Sequence, residues 1–323
     1  MTKAIRIHAT GGPEVMVWED VPTPEPGAGE VLIKHEAVGL NYIDVYFRSG
    51  LYKAPSMPLT IGMEGAGTVL ALGSGVTSFA VGDRVAYAGP IGGYATERTI
   101  AADRVIKLPA AIDFTTGAAM MLQGMTAQYL LRRTHRVQRG ETIVIHAAAG
   151  GVGLIICQWA RHLGATVIGV VSTAAKAELA KANGADHVLI GHDNLPAEVK
   201  RITGGAMVPV VYDSVGKDTF NASIDSLAPL GLMVSFGNAS GPVPPIDVGL
   251  LGAKGSLYLT RPSLATYTAK RGDLETCAGE LIDVVSKGIV KIQVKQTFPL
   301  KDAAAAHRAL EARKTTGSTV LIP

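Results

Sequence analysis

One segment near the middle of the chain constrains the fold more than any other. Residues 142–160 carry no charged side chain, and three glycines, Gly150, Gly151 and Gly153, stand at their centre. A membrane-spanning helix needs about 20 predominantly apolar residues in an unbroken helix, and the glycines interrupt this one. The segment is therefore predicted to form a buried strand, a tight turn and a buried helix.

Short apolar runs alternate with helix-forming segments through the middle of the chain. The runs are rich in Val, Ile and Leu, which is typical of strands buried on both faces of a parallel sheet. Strands are predicted at Thr142–His146, Thr166–Val171, His187–Ile190, Val208–Tyr212, Leu232–Phe236 and Ser256–Thr260, with helices at Gly153–Leu163 and Ala174–Asn183. This alternation predicts an α/β fold with a doubly wound parallel sheet covered by helices on both faces.

The two ends of the chain have a different pattern from the middle. The first third is β-rich, with short alternating runs separated by proline and glycine, and a helix-forming stretch follows at Phe114–Arg133. The other terminal elements are predicted at Lys3–His8, Val31–His35, Gly67–Leu72, Asp273–Lys287, Lys291–Phe298, Ala303–Lys314 and Ser318–Ile322. Because a domain takes about 100–200 residues, the chain of 323 residues is long enough for two.

Charge and cysteine content exclude several classes of protein. An apolar fraction of 47% with a net charge of only +3 excludes a disordered chain. The basic residues are spread without forming an arm, so no nucleic-acid partner is expected. Cys157 and Cys277 are too few for a disulfide framework or a thiolate zinc site. The N-terminal residues lack the apolar core of a signal peptide, so we expect a cytoplasmic protein without a membrane segment.

The glycine-containing turn has the spacing of a dinucleotide-binding fingerprint. Ala148, Gly150 and Gly153 stand at the three glycine positions of G-x-G-x-x-G, with Ala in the first. Small residues there allow a tight turn and let the backbone approach a pyrophosphate, which then lies at the helix N-terminus. The strand before the turn and the helix after it supply the context that the motif requires. We therefore predict a dinucleotide cofactor at this turn.

The end of the second predicted strand indicates which dinucleotide binds. An NAD-preferring site places Asp or Glu about 20 residues after the glycine turn, to hold the ribose 2′-hydroxyl. No acidic residue stands between Leu154 and Ala177, and the strand is followed by Ser172 and Lys176. A hydroxyl and an ammonium group suit a 2′-phosphate, which a carboxylate would repel. The sequence therefore predicts NADP(H).

Seven stretches spread along the chain carry a resemblance to a known family. They are Gly11–Val15, Gly39–Asp44, Arg48–Tyr52, Ala147–Gly153, Val211–Gly216, Gly231–Asn238 and Leu259–Pro262. Through them the chain resembles the zinc-free medium-chain dehydrogenases/reductases, in the zeta-crystallin-like branch of NADPH:quinone oxidoreductases. The resemblance implies a GroES-like catalytic domain built from residues 1–122 and 263–323, with a Rossmann NADP(H)-binding domain, residues 123–262, inserted between them.

The zinc-dependent members of the same superfamily provide a contrast. Asn41 stands where they carry a cysteine ligand, and Met63 stands where their Gly-His-Glu motif carries a histidine ligand. A catalytic zinc site needs about three protein ligands, and two are replaced here. The resemblance therefore implies catalysis without zinc or another metal.

The resemblance also assigns residues to substrate and cofactor. Its catalytic candidates are Asn41, Tyr46 and Tyr52, on the nicotinamide and substrate side. Its cofactor-binding residues are Asn41, Gln123, Thr126, Gly150, Gly151, Val152, Ser172, Lys176, His192, Ser214, Val215, Phe236, Gly237, Asn238, Leu259, Thr260 and Arg261. Gly191 stands where bacterial relatives carry a tyrosine that helps to clamp the 2′-phosphate, which leaves His192 as a substitute donor. Asp44 is expected to orient its neighbours.

Three functions follow from the resemblance and stay open at this point. The leading hypothesis is reduction of a quinone by NADPH, since a quinone is electrophilic without a Lewis acid to polarise it. The alternatives are reduction of the activated C=C bond of an enal or enone, and an NADPH-binding structural or RNA-binding protein with little catalysis. Residues 254–260 are predicted to form the edge of the parallel sheet. Relatives pair this strand between two subunits, so a homodimer is expected.

Overall fold

A computed structural model describes the whole chain, residues 1–323. The strands are β1 Thr2–Ile7, β2 Met16–Val21, β3 Glu30–Leu40, β4 Leu59–Thr60, β5 Glu64–Leu72, β6 Arg84–Ala88, β7 Glu97–Ala101, β8 Ile106–Lys107, β9 Thr142–His146, β10 Thr166–Val171, β11 His187–Ile190, β12 Val208–Asp213, β13 Leu227–Ser235, β14 Tyr258–Thr260, β15 Val294–Pro299 and β16 Ser318–Ile322. The α-helices are α1 Tyr42–Ser49, α2 Phe114–Tyr129, α3 Gly151–Leu163, α4 Ala174–Ala182, α5 Leu195–Ile202, α6 Phe220–Asp225, α7 Gly249–Ala253, α8 Leu264–Tyr267, α9 Arg271–Ser286 and α10 Ala303–Glu311. Short 3-10 turns occur at Pro13–Val15, Ala102–Arg104 and Leu300–Asp302, and a π-helix at Leu130–Thr134. No helix is both long enough and apolar enough to cross a membrane.

The chain folds into two units, which we describe separately. The first unit comprises Met1–Met125, Thr268–Gly279 and Ile292–Pro323. The second comprises Thr126–Tyr267 and Glu280–Lys291. The N-terminal and C-terminal segments of the chain therefore belong to the same unit.

The first unit is built mainly from antiparallel β-structure. A seven-stranded sheet has the order β15-β16-β3-β5-β6-β8, with β7 paired to β3, and a three-stranded sheet has the order β2-β1-β4. The C-terminal strand β16 lies antiparallel to β3, with Val320 opposite Gly39. Ile5, Ile7 and Leu321 are buried in the same apolar cluster, so hydrophobic burial ties the two ends of the chain together.

Helix α1 is an element that the sequence analysis missed in this β-rich region. Asn41 precedes the helix in an extended conformation, and its backbone N–H donates to Asp44 Oδ2 at 2.8 Å. A carboxylate at the third helical position that accepts from the N-cap N–H is half of a capping box. Gly50, at φ 84°, ends the helix in the left-handed region. Eight residues are too few to show a helical repeat above the surrounding β pattern.

The second unit confirms the predicted parallel sheet. Its six strands have the order β11-β10-β9-β12-β13-β14, and every neighbouring pair is parallel. Strands β9, β10 and β11 have the predicted bounds, whereas β13 begins five residues earlier than expected, at Leu227, and β14 is shorter. The chain adds β10 and β11 on one side of β9, then β12 to β14 on the other side. Ligands of such sheets bind at this switch point, beyond the carboxyl ends of the strands.

Candidate active site

The turn between β9 and α3 has the geometry of a phosphate cradle. Gly150 precedes the helix in an extended conformation, at φ −81° and ψ 173°. A Cβ atom on Gly150 would approach only the Ala147 carbonyl oxygen, at 3.2 Å, so the space before the helix is open. A Cβ atom on Gly153 would lie 2.3 Å from the same oxygen, so only glycine fits there. The first backbone N–H groups of a helix have no intrahelical acceptor and are suited to an anion.

Ala147, which begins this turn, has a strained backbone. Its φ of 52° is in the left-handed region, although the residue is not a glycine. A left-handed conformation costs an L-residue about 1–2 kcal/mol, and such strain concentrates at functional sites. The conformation allows Gly150 N–H to donate to the Ala147 carbonyl at 2.8 Å, which closes the turn.

The candidates for the 2′-phosphate come together at the ends of β10 and β11. Thr173 caps α4 by accepting from Lys176 N–H, and Lys176 Nζ lies 3.4 Å from Ser172 Oγ. Gly191, at φ 83°, donates its N–H to the Val171 carbonyl at 2.8 Å, so the segment after β11 runs beside the end of β10. His192 is half-buried on this segment. The hydroxyl of Ser172 and the ammonium of Lys176 therefore lie after β10, and the segment that carries His192 runs beside the end of that strand.

The candidates for the nicotinamide end form a second group, after β12, β13 and β14. A Cβ atom on Gly237 would lie 2.3 Å from the Ser214 carbonyl oxygen, so the two backbones touch. Arg261 donates from Nη1 to the Ser235 and Gly237 carbonyls, at 2.9 and 3.1 Å. The remaining members of the group are Val215, Phe236, Asn238, Leu259 and Thr260.

Asn238 lies beside Arg261 and completes this second group. With its amide oriented to satisfy both atoms, Asn238 accepts from Arg261 Nη2 at 3.0 Å and donates to the Gly237 carbonyl at 2.9 Å. The guanidinium therefore fixes the backbone of the turn after β13. Thr126, the first residue of the second unit, is buried.

In the first unit, three buried residues form a hydrogen-bonded row. Ser318 Oγ donates to Gln123 Oε1 at 2.7 Å, and Gln123 Nε2 donates to Asn41 Oδ1 at 3.1 Å. Both oxygen acceptors are thereby occupied, and Asn41 Nδ2 is a buried donor without a hydrogen-bond partner. A buried unsatisfied donor is rare and indicates a ligand site or strain. The structure thus brings Asn41 and Gln123, two of the predicted cofactor-binding residues, within hydrogen-bond distance.

Tyr46 and Tyr52 follow Asn41 closely in the sequence, and their rings pack against one another. Their ring centroids are 5.1 Å apart with an interplanar angle of 60°, an edge-to-face arrangement. The Tyr52 N–H also donates to the Tyr46 carbonyl at 3.0 Å. Tyr46 is buried and Tyr52 half-buried. The two rings therefore pack edge to face, with Tyr52 the more exposed of the two.

The carboxyl groups of Asp44 and Glu64 are buried in the same unit as Asn41. Asp44 Oδ2 accepts from Asn41 N–H and from the Tyr94 hydroxyl, at 2.8 and 3.0 Å. Glu64 Oε2 accepts from Leu122 N–H. Burial raises the pKa of Asp44 to about 7 and the pKa of Glu64 to about 8, although their hydrogen bonds partly oppose the shift. Both groups therefore change protonation near neutral pH.

Sequence reasoning missed the partners that hold these groups. The Tyr94 hydroxyl bridges Asp44 to His307 Nε2, at 3.1 Å from the imidazole, and burial lowers the pKa of His307 to about 3. Ser318 and His307 come from the end of the chain, far from Asn41 in sequence. No local motif marks them. The pairing of β16 with β3 brings Ser318 near Asn41, and α10 carries His307 to Tyr94.

The predicted zinc-ligand positions hold no metal-binding group. Asn41 is buried and Met63 half-buried. The structure contains no group of three or more His, Cys, Asp or Glu side chains placed to hold a metal ion. Glu64, the neighbour of Met63, instead accepts from the backbone.

Two family models match the chain, one in each half. The model described as an alcohol dehydrogenase GroES-like domain matches residues 27–139. The model described as a zinc-binding dehydrogenase matches residues 151–275.

Full-length relatives are found among known proteins and solved structures. A quinone oxidoreductase of Pseudomonas aeruginosa is 52% identical, with 100% of both chains covered. A 2-haloacrylate reductase of Burkholderia sp is 46% identical over 100% of this chain and 99% of that protein. The structure of Escherichia coli quinone oxidoreductase in complex with NADPH matches with a TM-score of 0.97 at 48% identity, and 100% of both chains is covered.

A parallel sheet with a glycine turn at its switch point, together with a GroES-like β-rich unit, defines the chain as a medium-chain dehydrogenase/reductase. The full-length relatives narrow this class. The chain belongs to the quinone oxidoreductase family and is an enzyme of that family. The resemblance and the fold class inferred from the sequence are thereby confirmed.

Proposed function

We propose that this protein reduces quinones with NADPH and without a metal. The observation that carries the proposal is the pair formed by Ser172 and Lys176 at the end of β10, 3.4 Å apart, where an NAD-preferring enzyme has a carboxylate. The quinone oxidoreductase of Escherichia coli, similar over its whole length, was solved with NADPH. The donor set and this likeness support the same cofactor.

The residues of the second unit fit NADPH along its length. The open space before α3 suits the pyrophosphate at Gly150, Gly151 and Val152. Ser172, Lys176 and His192 would hold the 2′-phosphate, although no tyrosine stands at Gly191. The turns after β12 and β13, with Leu259–Arg261, would hold the nicotinamide end. When bound, NADPH supplies the hydride that reduces the substrate.

The first unit offers the groups expected to act on the substrate side. Asn41 Nδ2 is a buried donor whose amide is oriented by Gln123, so it suits an acceptor oxygen of cofactor or substrate. The edge-to-face pair of Tyr46 and Tyr52 suits a flat, apolar ring. We therefore assign Asn41 to polar recognition and the two tyrosines to the aromatic substrate.

Catalysis without a metal is part of the proposal. Asn41 and Met63 occupy the predicted ligand positions, and a quinone needs no Lewis acid to accept a hydride. Elemental analysis of the purified enzyme and assays before and after chelation test this. We expect substoichiometric zinc and unchanged turnover. Stoichiometric zinc with chelator-sensitive turnover would show the opposite.

A second candidate substrate is an activated C=C bond. The 46% identical 2-haloacrylate reductase favours it, because a site that delivers hydride to a quinone also suits conjugate addition. The decisive experiment is NADPH oxidation across a panel of small quinones, enones and 2-haloacrylate. Higher kcat/KM with quinones supports the proposal, and higher values with the other substrates support the alternative. Tight NADPH binding with no turnover would instead support a binding protein, structural or RNA-binding.

We also propose a homodimer formed through strand β14. Tyr258 is 61% exposed and Leu259 38% exposed at the sheet edge, whereas Leu257 is buried. An apolar open edge is a liability unless it is covered, and a two-fold contact would place each added charge near its own copy. Tyr258→Asp should convert a dimer to a monomer in sedimentation experiments. A monomeric unmutated protein at micromolar concentration would refute the shared edge.

Two further expectations stay predictions from the sequence. One is the division into a catalytic domain, residues 1–122 and 263–323, and an NADP(H)-binding domain, residues 123–262. The other is the cytoplasmic location.

A further inference from the structure

A fully buried polar cluster lies at the switch point of the parallel sheet. Its members are His146, Asp213, Thr219 and Ser223, each at most 2% exposed. His146 is the last residue of β9 and Asp213 is the last residue of β12, and these two strands are neighbours in the sheet. None of the four was a candidate site residue. Buried polar groups at a ligand-binding edge need an explanation.

Asp213 is the centre of this cluster and accepts four hydrogen bonds. Its Oδ1 accepts from the backbone N–H groups of Val215 and Gly216, at 2.8 and 3.0 Å. Its Oδ2 accepts from Thr219 Oγ1 at 2.7 Å and Ser223 Oγ at 2.8 Å. Hydrogen bonds from two hydroxyls and two amides offset the cost of burying a carboxylate.

The same residue types form hydrolytic triads, but the hydrogen bonds here exclude that role. The single proton of Ser223 Oγ points to Asp213, so His146 Nε2, 2.9 Å away, is the donor toward Ser223. The imidazole therefore cannot take the serine proton. All three groups are also sealed from substrate. The cluster must act through the backbone that it holds.

The backbone held by Asp213 is the turn proposed to contact the nicotinamide. The two N–H groups that it binds belong to the segment that follows Ser214. That segment is fixed on its other side by the turn after β13: Ala239 N–H donates to the Ser214 carbonyl at 3.2 Å, and Ser240 N–H donates to the Val215 carbonyl at 2.8 Å. The carboxylate thus determines where this turn lies.

The cluster also reaches the glycine turn. His146 directly precedes Ala147, the strained residue that begins the turn. Through Ser223, the histidine is linked to Asp213 across the switch point. The proposed pyrophosphate turn and the proposed nicotinamide turn therefore share one buried hydrogen-bond network.

We propose that Asp213 is a positioning residue that fixes the nicotinamide-side turn relative to the glycine turn, through Thr219, Ser223 and His146. The inference rests on the proposed function, because it takes NADPH as the cofactor. It predicts a larger effect at the nicotinamide end, because Asp213 binds the Val215 and Gly216 N–H groups directly and reaches the glycine turn only through Ser223 and His146. The 2′-phosphate candidates, at the ends of β10 and β11, make none of the hydrogen bonds to Asp213.

The test compares NADPH with adenosine 2′,5′-bisphosphate, which carries the adenosine, its 2′-phosphate and one 5′-phosphate but no nicotinamide. Asp213→Asn keeps the size of the side chain but turns an N–H group toward donors. We expect the Kd of NADPH to rise by about tenfold or more, the scale of a lost hydrogen bond to a charged group, and the Kd of the bisphosphate to change much less. The kcat for quinone reduction should fall as well, because the nicotinamide is misplaced.

Milder variants keep the test decisive if Asp213→Asn does not fold. Ser223→Ala removes one hydroxyl, and its matched control is Ser226→Ala, since Ser226 is equally buried but donates to the Ala222 carbonyl instead. Thr219→Val removes the other hydroxyl, and Thr219→Ser restores it. We expect Ser223→Ala and Thr219→Val to raise the Kd of NADPH severalfold. The control Ser226→Ala and the restoring variant Thr219→Ser should leave this Kd unchanged.

The outcomes separate this inference from the proposed function. A lower melting temperature with an unchanged ratio of NADPH to bisphosphate affinity, in all three network variants, would show a merely structural role and overturn the inference. If the unmutated protein does not bind NADPH, the proposed function is wrong, and the inference that rests on it is wrong as well. If it binds NADPH and only the network variants lose the nicotinamide end, both stand.

Discussion

The two units of the protein bury carboxyl groups in opposite ways. Asp213, in the second unit, accepts four hydrogen bonds, two of them from backbone N–H groups. In the first unit, Asp44 Oδ2 accepts two, and Glu64 Oε2 accepts one from the backbone. The second oxygen of each of these two acids, Asp44 Oδ1 and Glu64 Oε1, is buried without a partner.

The number of hydrogen-bond donors determines what each buried carboxyl group can do. A carboxylate with four donors holds the two backbone N–H groups among them in place, which suits a turn that must keep its position. A carboxyl group with few donors is dominated by desolvation, and burial raises the pKa of Asp44 to about 7 and the pKa of Glu64 to about 8. We therefore expect the second unit to be sensitive to geometry and the first to be sensitive to pH.

The largest expected effect is in the second unit, at the glycine turn. Gly150→Val should abolish NADPH binding, because the side chain would occupy the space for the pyrophosphate. The protein should still fold, since φ is −81° and only the Ala147 carbonyl is near. Titration of NADPH with circular dichroism as the folding check measures both.

Gly153→Ala is the matched control for that change. Its added Cβ would lie 2.3 Å from the Ala147 carbonyl oxygen, so the melting temperature itself should fall. Normal NADPH binding by Gly150→Val would show that the turn is not the pyrophosphate site.

The next effect sharpens the contrast in pH sensitivity. Because burial raises the pKa of Glu64 to about 8, the folded state keeps a proton that the unfolded chain releases at lower pH. The stability of the protein should therefore fall as pH rises from about 5 to 8, by about 1.4 kcal/mol per pH unit for one proton. Glu64→Gln cannot ionise and should flatten this decline in thermal unfolding across that range.

A surface carboxyl group provides the control for this effect. Glu36→Gln removes an exposed acid that makes only a long contact of 3.9 Å with Lys34, so the decline should be unchanged. Equal pH profiles for the unmutated protein and Glu64→Gln would contradict the assignment of the proton to Glu64. Asp44 contributes its own decline in both proteins.

The smallest effect concerns the charge at the end of β10. Lys176→Ala should weaken NADPH binding by roughly 1–3 kcal/mol, the size of a hydrogen bond to a charged group, and leave NADH binding nearly unchanged. Lys181→Ala, on the same helix but paired with Glu178 at 3.0 Å, is the control. Equal losses of NADPH and NADH in the Lys176 variant would remove its phosphate role.

Local patterns were sufficient to predict much of the second unit. Strands β9 and β10 have the predicted bounds, because short segments rich in Val and Ile are typical of the buried strands of a parallel sheet. The glycine turn was predicted correctly as the link from β9 to α3, since both its neighbours and its spacing are local. The C-terminal strand Ser318–Ile322 was predicted with its bounds as well.

Interactions between distant segments could not be predicted in the same way. Ser223 and Asp213 are linked to His146 across strands that are adjacent only in the sheet. Each of these residues, taken alone, is an ordinary polar residue in an apolar context. Helix α1 was missed for a different reason, since its eight residues are too few to show a helical repeat.

The sequence by itself determined most strands of the second unit, where the glycine turn lies and which family the chain resembles. These depend on contacts between residues close in the chain, whose spacing is visible in the printed letters. Only the tertiary structure decided how many hydrogen-bond donors each buried carboxyl group has. Asp213 has four donors because residues 215–223 fold back onto the end of β12, and Glu64 Oε2 has one, Leu122 N–H, which is 58 residues away in the chain. Burial and donor supply are properties of the folded neighbourhood, so the chemistry of these groups follows from the fold.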